Sequence, residues 1–128
     1  MTTLFRITNN LPFTSAIIRV NNATLVLDKV LIDTGSATTL FRTDDLYDLG
    51  VEFTPHDVIR RMMGVGGIEF VVEKQIDGLV VGELAVETFT IQLGALNYGI
   101  PLNGIIGTDF LLKTNAIVDF QKLNLRKG

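Results

Sequence analysis

The sequence predicts an all-β domain with one or two short helices. Short β-prone runs recur along the whole chain and are separated by turn-forming clusters rich in Gly, Asn, Asp and Pro. The candidate helices are only one or two turns long. A length of 128 residues suits one domain, residues 1–128, built around one hydrophobic core. Many short strands in one domain are typical of a barrel-like fold.

The composition is that of a folded protein, and it excludes several kinds of chemistry. Hydrophobic residues make up 47% of the chain and charged residues 20%. The net charge of −3 contains no basic excess, so we expect no nucleic-acid partner. The absence of cysteine excludes disulfides, thiolate metal sites and a cysteine nucleophile.

His56 is the only histidine, and we interpret it as a surface residue. A Ser-His-Asp triad would have to use it, and a histidine metal site would lack further ligands. Any hydrolytic chemistry is therefore expected to depend on carboxylates, without a metal or cofactor.

The chain shows no membrane segment. No apolar run approaches the roughly 18 residues that a bilayer-spanning helix needs. The first residues lack the long apolar region of a signal peptide. Together with the absence of cysteine, these features favour a cytoplasmic location.

The first part of the chain predicts paired strands. Strand segments are expected at residues 4–7, 16–20, 23–27 and 30–32. A turn cluster at residues 9–12 ends the first segment, and Asn21-Asn22 is expected to form a hairpin turn. Asp28 and Lys29 are expected to interrupt the strand that leads to residues 30–32.

The middle of the chain predicts a short helix and a hairpin. Thr43 is expected to cap a helix that ends near Gly50. Residues 58–81 are expected to form two strands around a tip at residues 64–67, where three of four residues are glycine.

The last part of the chain predicts further strands and a second helix. Residues 86–93 and 116–120 are β-prone and flank a loop at residues 95–103. Thr108 is expected to cap a short helix through Leu112-Lys113, with Asp109 as a helix-start residue in its first turn and Asn115 at the left-handed exit.

Residues 30–36, Val-Leu-Ile-Asp-Thr-Gly-Ser, are the strongest candidate for a functional site. The apolar run predicts a buried strand, and Thr34, Gly35 and Ser36 predict a tight turn after Asp33. A carboxylate at the end of a buried strand is costly unless a partner or a function uses it. A lone Asp-Thr-Gly is also an ordinary turn sequence, so a purely structural role for Asp33 stays open on these residues alone.

A second apolar run enters a glycine turn near the C-terminus. Residues 104–108, Gly-Ile-Ile-Gly-Thr, repeat the pattern of residues 30–35 and also lead into a helix. One half of the fold is therefore predicted to echo the other.

Three motifs in this order resemble the retropepsin-like aspartic proteases, which include the retroviral proteases and single-domain cellular and bacterial relatives. The motifs are Leu-Ile-Asp-Thr-Gly-Ser at residues 31–36, the glycine-rich tip at residues 64–67, and Ile-Ile-Gly-Thr-Asp at residues 105–109. The resemblance extends over most of the chain, from Ser15 to Phe120. It implies an aspartic endopeptidase with a single-lobe fold.

The resemblance also implies a homodimer. The chemistry of this family needs two aspartates, and this chain carries one Asp-Thr-Gly and the length of one lobe. A second copy across a two-fold axis would supply the second Asp33.

The implied reaction is amide hydrolysis by an activated water, without a covalent intermediate. Two Asp33 carboxylates would lie roughly 3 Å apart and share one proton, because like charges this close do not both ionise easily. The ionised carboxylate would act as general base on the water, and the protonated one would polarise the scissile carbonyl.

The residues after Asp33 take supporting roles by the same resemblance. Thr34 would lock the two active-site loops across the dimer axis. Gly35 would leave room for the substrate, and Ser36 would donate a hydrogen bond to Asp33.

The glycine-rich tip would be a flap that closes over an extended peptide or protein substrate. The flap residues are Gly64, Val65, Gly66, Gly67 and Ile68, of which Val65 and Ile68 would line pockets. Tyr98 or Ile100 in the loop at residues 95–103 would face the substrate.

The sequence departs from the retroviral pattern at Ala37 and Thr108. Retroviral members often carry an acid at the position of Ala37 and an Arg at the position of Thr108, and these two side chains pair with each other. Both partners are absent here, so nearby dimer and substrate contacts are expected to differ. Residues 4–7 and 123–125 are candidates for the interleaved dimer sheet of the retroviral members.

Two other functions stay open on the sequence. A chain with the same fold could be a catalytically inactive dimerisation or peptide-binding module, because fold alone does not determine activity. An unrelated β-barrel that binds a ligand also fits the strand pattern, but it leaves the coincidence of three motifs unexplained. The intact Asp-Thr-Gly-Ser at residues 33–36 favours the enzyme.

Overall fold

The computed structural model describes residues 3–64 and 67–128 and has the predicted all-β architecture. Within these residues the chain forms eleven strands and two short helices. The strands are β1 (Thr3–Leu4), β2 (Arg6–Thr8), β3 (Leu11–Val20), β4 (Ala23–Ile32), β5 (Leu40–Arg42), β6 (Val58–Gly64), β7 (Gly67–Val81), β8 (Leu84–Gly94), β9 (Gly104–Ile106), β10 (Ala116–Asp119) and β11 (Asn124–Lys127). The helices are α1 (Thr43–Tyr47) and α2 (Thr108–Lys113).

Six of the described strands close into a barrel. The hydrogen-bonded order of the larger sheet is β2-β3-β4-β9-β5-β8-β7-β6, and an additional pairing joins β3 to β7. This pairing sets Ile17 opposite Val80 and Arg19 opposite Gly78. The barrel therefore closes through six strands in the order β3, β4, β9, β5, β8 and β7. β2 and β6 extend the sheet beyond the barrel.

Aliphatic and aromatic side chains fill the barrel. The fully buried residues Ile18, Val30, Phe41 and Leu46 belong to the main hydrophobic cluster. Phe110 from α2 belongs to the same cluster and contacts Phe89 of β8 edge-to-face, with 6.0 Å between the ring centroids. The short helices are thus held by the apolar side chains that they bury rather than by their own length.

Asparagine pairs form two of the hairpin turns. The predicted turn at Asn21-Asn22 is confirmed, with φ angles of 50° and 67°. Asn9 and Asn10 join β2 to β3 with φ angles of 51° and 61°. Two consecutive residues with positive φ are what a type I′ hairpin turn needs, and asparagine tolerates this region better than most residues.

Two sequence features that were predicted to end or break strands lie inside strands. Pro12 is the second residue of β3, and β4 continues through Asp28 and Lys29. The register between the two strands shifts between Thr14 and Ala16, where β4 passes the two charged residues. Asp28 and Lys29 therefore form an irregularity within the continuous strand β4. The residues of β4 on either side pair with β3 and hold the strand in place.

Both helices begin differently from the prediction. Thr43 and Thr108 are the first helical residues, and the residues before them make no side-chain cap hydrogen bond. The Thr108 hydroxyl donates instead to the carbonyl of Thr34, at 2.9 Å. Asn115, with a φ of 51°, leaves α2 through the left-handed region as predicted. No helix in residues 3–64 or 67–128 is long and apolar enough to cross a membrane.

A three-stranded sheet in the order β1-β11-β10 joins the two ends of the chain. Leu4 lies opposite Asn124, and Val118 lies opposite Leu125. The two terminal segments that were candidates for an interleaved dimer sheet thus pair with each other inside one chain. β1 and β10 form the edges of this sheet.

Candidate active site

Two apolar strands end side by side and set the position of Asp33. β4 and β9 pair in parallel, with Val30 opposite Gly104 and Ile32 opposite Ile106. The Asp33 amide continues this ladder by donating to the Ile106 carbonyl, at 2.9 Å. The two segments that echo each other in sequence are therefore neighbours, and Asp33 begins the turn that leaves them.

The turn itself holds the Asp33 side chain. The Ser36 amide donates to the Asp33 carbonyl at 3.1 Å, and the Gly35 amide donates to Oδ1 of Asp33 at 2.9 Å. A Cβ atom on Gly35 would lie 3.2 Å from the same Oδ1, so glycine keeps this approach free of crowding. Asp33 is half-buried, while Thr34 and Gly35 are exposed. The carboxylate is oriented by its own turn and stays accessible from solvent.

The predicted hydrogen bond from Ser36 to Asp33 is wrong. The Ser36 hydroxyl donates to the carbonyl of Thr38 at 2.7 Å. The sequence motif placed a hydroxyl near the carboxylate, but the direction of the chain after the turn brings a closer acceptor within reach. Ser36 therefore stabilises the loop that leaves the turn.

Asp33 lies in a cleft of about 780 Å³. Its walls include the turn and the residues after it, the base of the β6–β7 hairpin, and the loop at residues 95–103, and residues of β4, β5, β8 and β9 also line it. Arg60 and Glu73, from facing strands of the hairpin, form an ion pair across the cleft wall with 2.9 Å between Nε and Oε1. The cleft therefore combines an acid, an ion pair and apolar side chains on the scale of a ligand site.

The predicted wall residues Tyr98 and Ile100 both line this cleft together with Asp33. Their contact with a substrate stays a prediction. Tyr98 is held in place by a hydrogen bond from its hydroxyl to Oε2 of Glu69 on β7, at 2.8 Å. Gly94 makes room for that carboxylate, since a Cβ at Gly94 would lie 2.9 Å from Oε1 of Glu69.

Burial raises the pKa of Tyr98 to about 12, and the hydrogen bond to Glu69 and the negative charges of Glu69 and Asp33 act in the same direction. The hydroxyl therefore keeps its proton through the whole range in which a protease would work. Tyr98 is a fixed hydrogen-bond donor on the cleft wall.

The predicted flap corresponds to the β6–β7 hairpin. Its antiparallel ladder extends from Val58 opposite Glu73 to Gly64 opposite Gly67. Val65, Gly66 and the side chain of Ile68 lie outside the described residues, so their predicted contacts with substrate stay predictions.

Gln92 is a cleft residue that the sequence did not single out. It is buried on β8, and its Oε1 accepts a hydrogen bond from the Thr38 hydroxyl at 2.9 Å. The signal in the sequence was a polar amide placed directly between the apolar residues Ile91 and Leu93 of a predicted strand.

The sequence and the structure are both similar to known aspartic proteases. The family described as aspartyl protease matches residues 16–110, so the chain belongs to that family. Its fold is that of the retropepsin-like members: the crystal structure of a retropepsin-like aspartic protease from Rickettsia conorii is similar over 98% of this chain and 87% of that chain, with a TM-score of 0.69. The two sequences are 16% identical, so this similarity shows the fold alone. No curated protein matches the sequence.

Proposed function

We propose that this protein is an aspartic endopeptidase whose active site is completed by a second copy of the chain. The observation that carries the proposal is the position of Asp33, half-buried in the cleft with its carboxylate held by the amide of Gly35. A purely structural turn acid would have no need of a cleft of this size around it. Membership of the aspartyl protease family supports the same role.

The reaction follows from the chemistry of two close carboxylates. One Asp33 from each chain would share a single proton, because two neighbouring negative charges are unfavourable. The ionised member would take a proton from the attacking water, while the protonated member would polarise the scissile carbonyl. The proton then passes to the leaving amine, and no bond forms between enzyme and substrate.

The substrate would be an extended segment of a peptide or protein. The β6–β7 hairpin, including Gly64 and Gly67, would cover it and pair with its backbone. Tyr98 and Ile100 would contact its side chains from the cleft wall.

An exposed apolar surface supports the use of a second copy. Leu112 on α2 is 72% exposed, and Phe120, after β10, is 58% exposed. Ile117 on β10 is also exposed, and β10 is an edge strand of its sheet. α2 begins at Thr108, whose hydroxyl donates to the Thr34 carbonyl, so Leu112 lies on the helix that contacts the turn of Asp33. Burial of this surface against a second copy would cover both the apolar side chains and the strand edge.

Replacement of Asp33 by Asn tests the proposal. Asn has the size of Asp but cannot act as general base, so we expect peptide cleavage to fall by roughly 100- to 10,000-fold. Cleavage of a random peptide library at mildly acidic pH, with and without a statine-type inhibitor, measures this. The control is Asp48→Asn, which changes an exposed carboxylate at the end of α1.

We expect the Asp33→Asn protein to keep the fold and the oligomeric state of the wild type. Undiminished cleavage by this variant would contradict the mechanism. Peptide binding without cleavage by the wild type would favour an inactive peptide-binding module.

A further inference from the structure

A buried contact joins the chain after the catalytic turn to the start of α2. Thr39 has no exposed surface, and its hydroxyl donates to Oδ1 of Asp109 at 2.7 Å. The Thr39 amide donates to Oδ2 of the same carboxylate at 3.2 Å. Both oxygens of Asp109 thus bind one residue that lies 70 positions earlier. Oδ1 of Asp109 also accepts a hydrogen bond from the Phe110 amide at 2.7 Å, so this acid links the first turn of α2 to Thr39.

The Thr39 hydroxyl is used twice. It donates to Asp109 and accepts a hydrogen bond from the Gly107 amide, at 3.1 Å. At the same place the two segments touch through their backbones, because a Cβ at Gly107 would lie 2.2 Å from the Thr38 carbonyl oxygen. Thr39 therefore closes a buried contact in which its hydroxyl and amide and the Gly107 amide all have partners.

The segment that Thr39 holds is the one that positions the catalytic turn. The Ile106 carbonyl accepts from the Asp33 amide at 2.9 Å. The Thr108 amide donates to the Ser36 carbonyl at 2.8 Å, and its hydroxyl donates to the Thr34 carbonyl at 2.9 Å. Residues 106–108 thus contact the turn at its start, middle and end. A shift of this segment would move the Asp33 carboxylate.

We propose that Thr39 and Asp109 are positioning residues that hold the turn of Asp33 at the spacing that the two-aspartate site needs. The catalytic part of this inference rests on the proposed function. In the retroviral pattern, an acid and an Arg at the places of Ala37 and Thr108 pair with each other. In this chain the contact between Thr39 and Asp109 links the same two segments. Thr39 lies two residues after Ala37, and Asp109 lies one residue after Thr108.

The test compares three threonine variants. Thr39→Val removes the hydroxyl at nearly constant size, and Thr39→Ser retains it. Thr114→Val is the matched control, because Thr114 is also buried and, among the residues that the structure describes, its hydroxyl donates to the α2 carbonyls of Phe110 and Leu111 alone.

We expect Thr39→Val to lower kcat by about 10- to 100-fold with little change in KM, since small displacements of catalytic groups have effects of this order. The limbs of its pH–rate profile should also move, because the two carboxylates would no longer have their native spacing. Thr39→Ser should restore most of kcat, and Thr114→Val should keep kcat and the pH profile of the wild type. Equal kcat losses in Thr39→Val and Thr114→Val would overturn the inference.

A second measurement is independent of activity. Amide hydrogen exchange at Asp33 and Thr108 should be faster in Thr39→Val than in Thr114→Val, although neither amide bonds to Thr39. Unchanged exchange at these two amides would overturn the inference even if the enzyme were active. A wild type that fails to cleave any peptide would instead overturn the proposed function, and the exchange rates would still decide whether Thr39 holds the turn.

If Thr39→Val does not fold, Asp109→Asn replaces it in both measurements. Asn retains one acceptor for the Thr39 hydroxyl but sets an amide against the Thr39 amide. We expect a smaller loss of kcat in the same direction. Wild-type kcat and exchange in this variant would overturn the inference.

Discussion

At the scale of single residues, Tyr98 shows how the cleft controls the chemistry of a side chain. Its burial, its hydrogen bond to Glu69 and the nearby charges of Glu69 and Asp33 all favour the neutral phenol. The Tyr98 hydroxyl donates to Glu69 and keeps its proton well above neutral pH.

The titration of Tyr98 tests this environment. The chain has two tyrosines, so the Tyr47→Phe variant leaves Tyr98 as the only one. Tyrosinate absorbance of this variant should rise with a midpoint near pH 12, the value to which the pKa of Tyr98 is raised. Adding Glu69→Gln should lower the midpoint, because one negative charge is removed. A midpoint at the ordinary value of 10.0 in the folded Tyr47→Phe protein would show that partial burial and Glu69 do not raise the pKa of Tyr98.

At the scale of elements, the base of the β6–β7 hairpin is held by an ion pair. Asp57, just before β6, accepts a hydrogen bond from Lys74 of β7 at 2.6 Å and further hydrogen bonds from the amide and hydroxyl of Thr54. The hydrogen bond from Lys74 is the largest cause that holds the pKa of Asp57 below its ordinary value of 3.8, followed by the bond from the Thr54 amide. The folded protein therefore favours the ionised carboxylate.

The sign of the pH effect follows from the lowered pKa. The contact contributes stability at pH values above the ordinary value of 3.8, and this contribution is lost as the pH falls through the lower pKa of the folded state. We expect Asp57→Asn to lower Tm at pH 7 and to have a smaller effect at about pH 2.5, because below the ordinary value of 3.8 the carboxyl group of the unfolded chain is protonated and the contribution of the contact declines. Thermal unfolding monitored by circular dichroism at the two pH values measures this.

Lys74→Met is the companion variant. It should reproduce most of the loss of Tm at pH 7. The double variant should lose less Tm than the two single variants together, because the two residues act on one contact. Equal Tm losses for Asp57→Asn at both pH values would contradict the lowered pKa of Asp57.

At the scale of the whole molecule, the proposed site needs two chains. Leu112 is the most direct residue for a test, because it is 72% exposed on α2 and its replacement leaves the core unchanged. We expect Leu112→Glu to shift the protein from dimer to monomer in sedimentation and to lower cleavage in parallel, with partial recovery at higher protein concentration. The control is Val26→Glu, which places the same charge on an exposed residue of β4.

Two results would contradict this proposal. One is a Leu112→Glu protein that stays dimeric and cleaves peptide like the wild type, which would place the interface elsewhere. The other is cleavage by a wild-type protein that sedimentation shows to be a strict monomer, since one chain supplies one Asp33.

Much of the fold could be predicted because its signals are local. The strands of the β6–β7 hairpin follow from β-prone residues around a glycine-rich tip, and the turn at Asn21-Asn22 follows from the tolerance of asparagine for positive φ. The strand break expected at Asp28 and Lys29 was wrong, because sheet neighbours hold a strand through residues that disfavour it.

The sequence by itself determined the candidate site at Asp33, since an apolar strand followed by Asp-Thr-Gly-Ser dictates a buried ladder and a tight turn through short-range sterics. Only the tertiary structure decided the partners of the polar side chains. Ser36 binds Thr38 instead of Asp33, Thr108 binds Thr34 instead of capping its helix, and Asp109 reaches Thr39. A hydroxyl or carboxylate can bond to any donor or acceptor that the fold brings within about 3 Å, and most of these partners are distant in sequence.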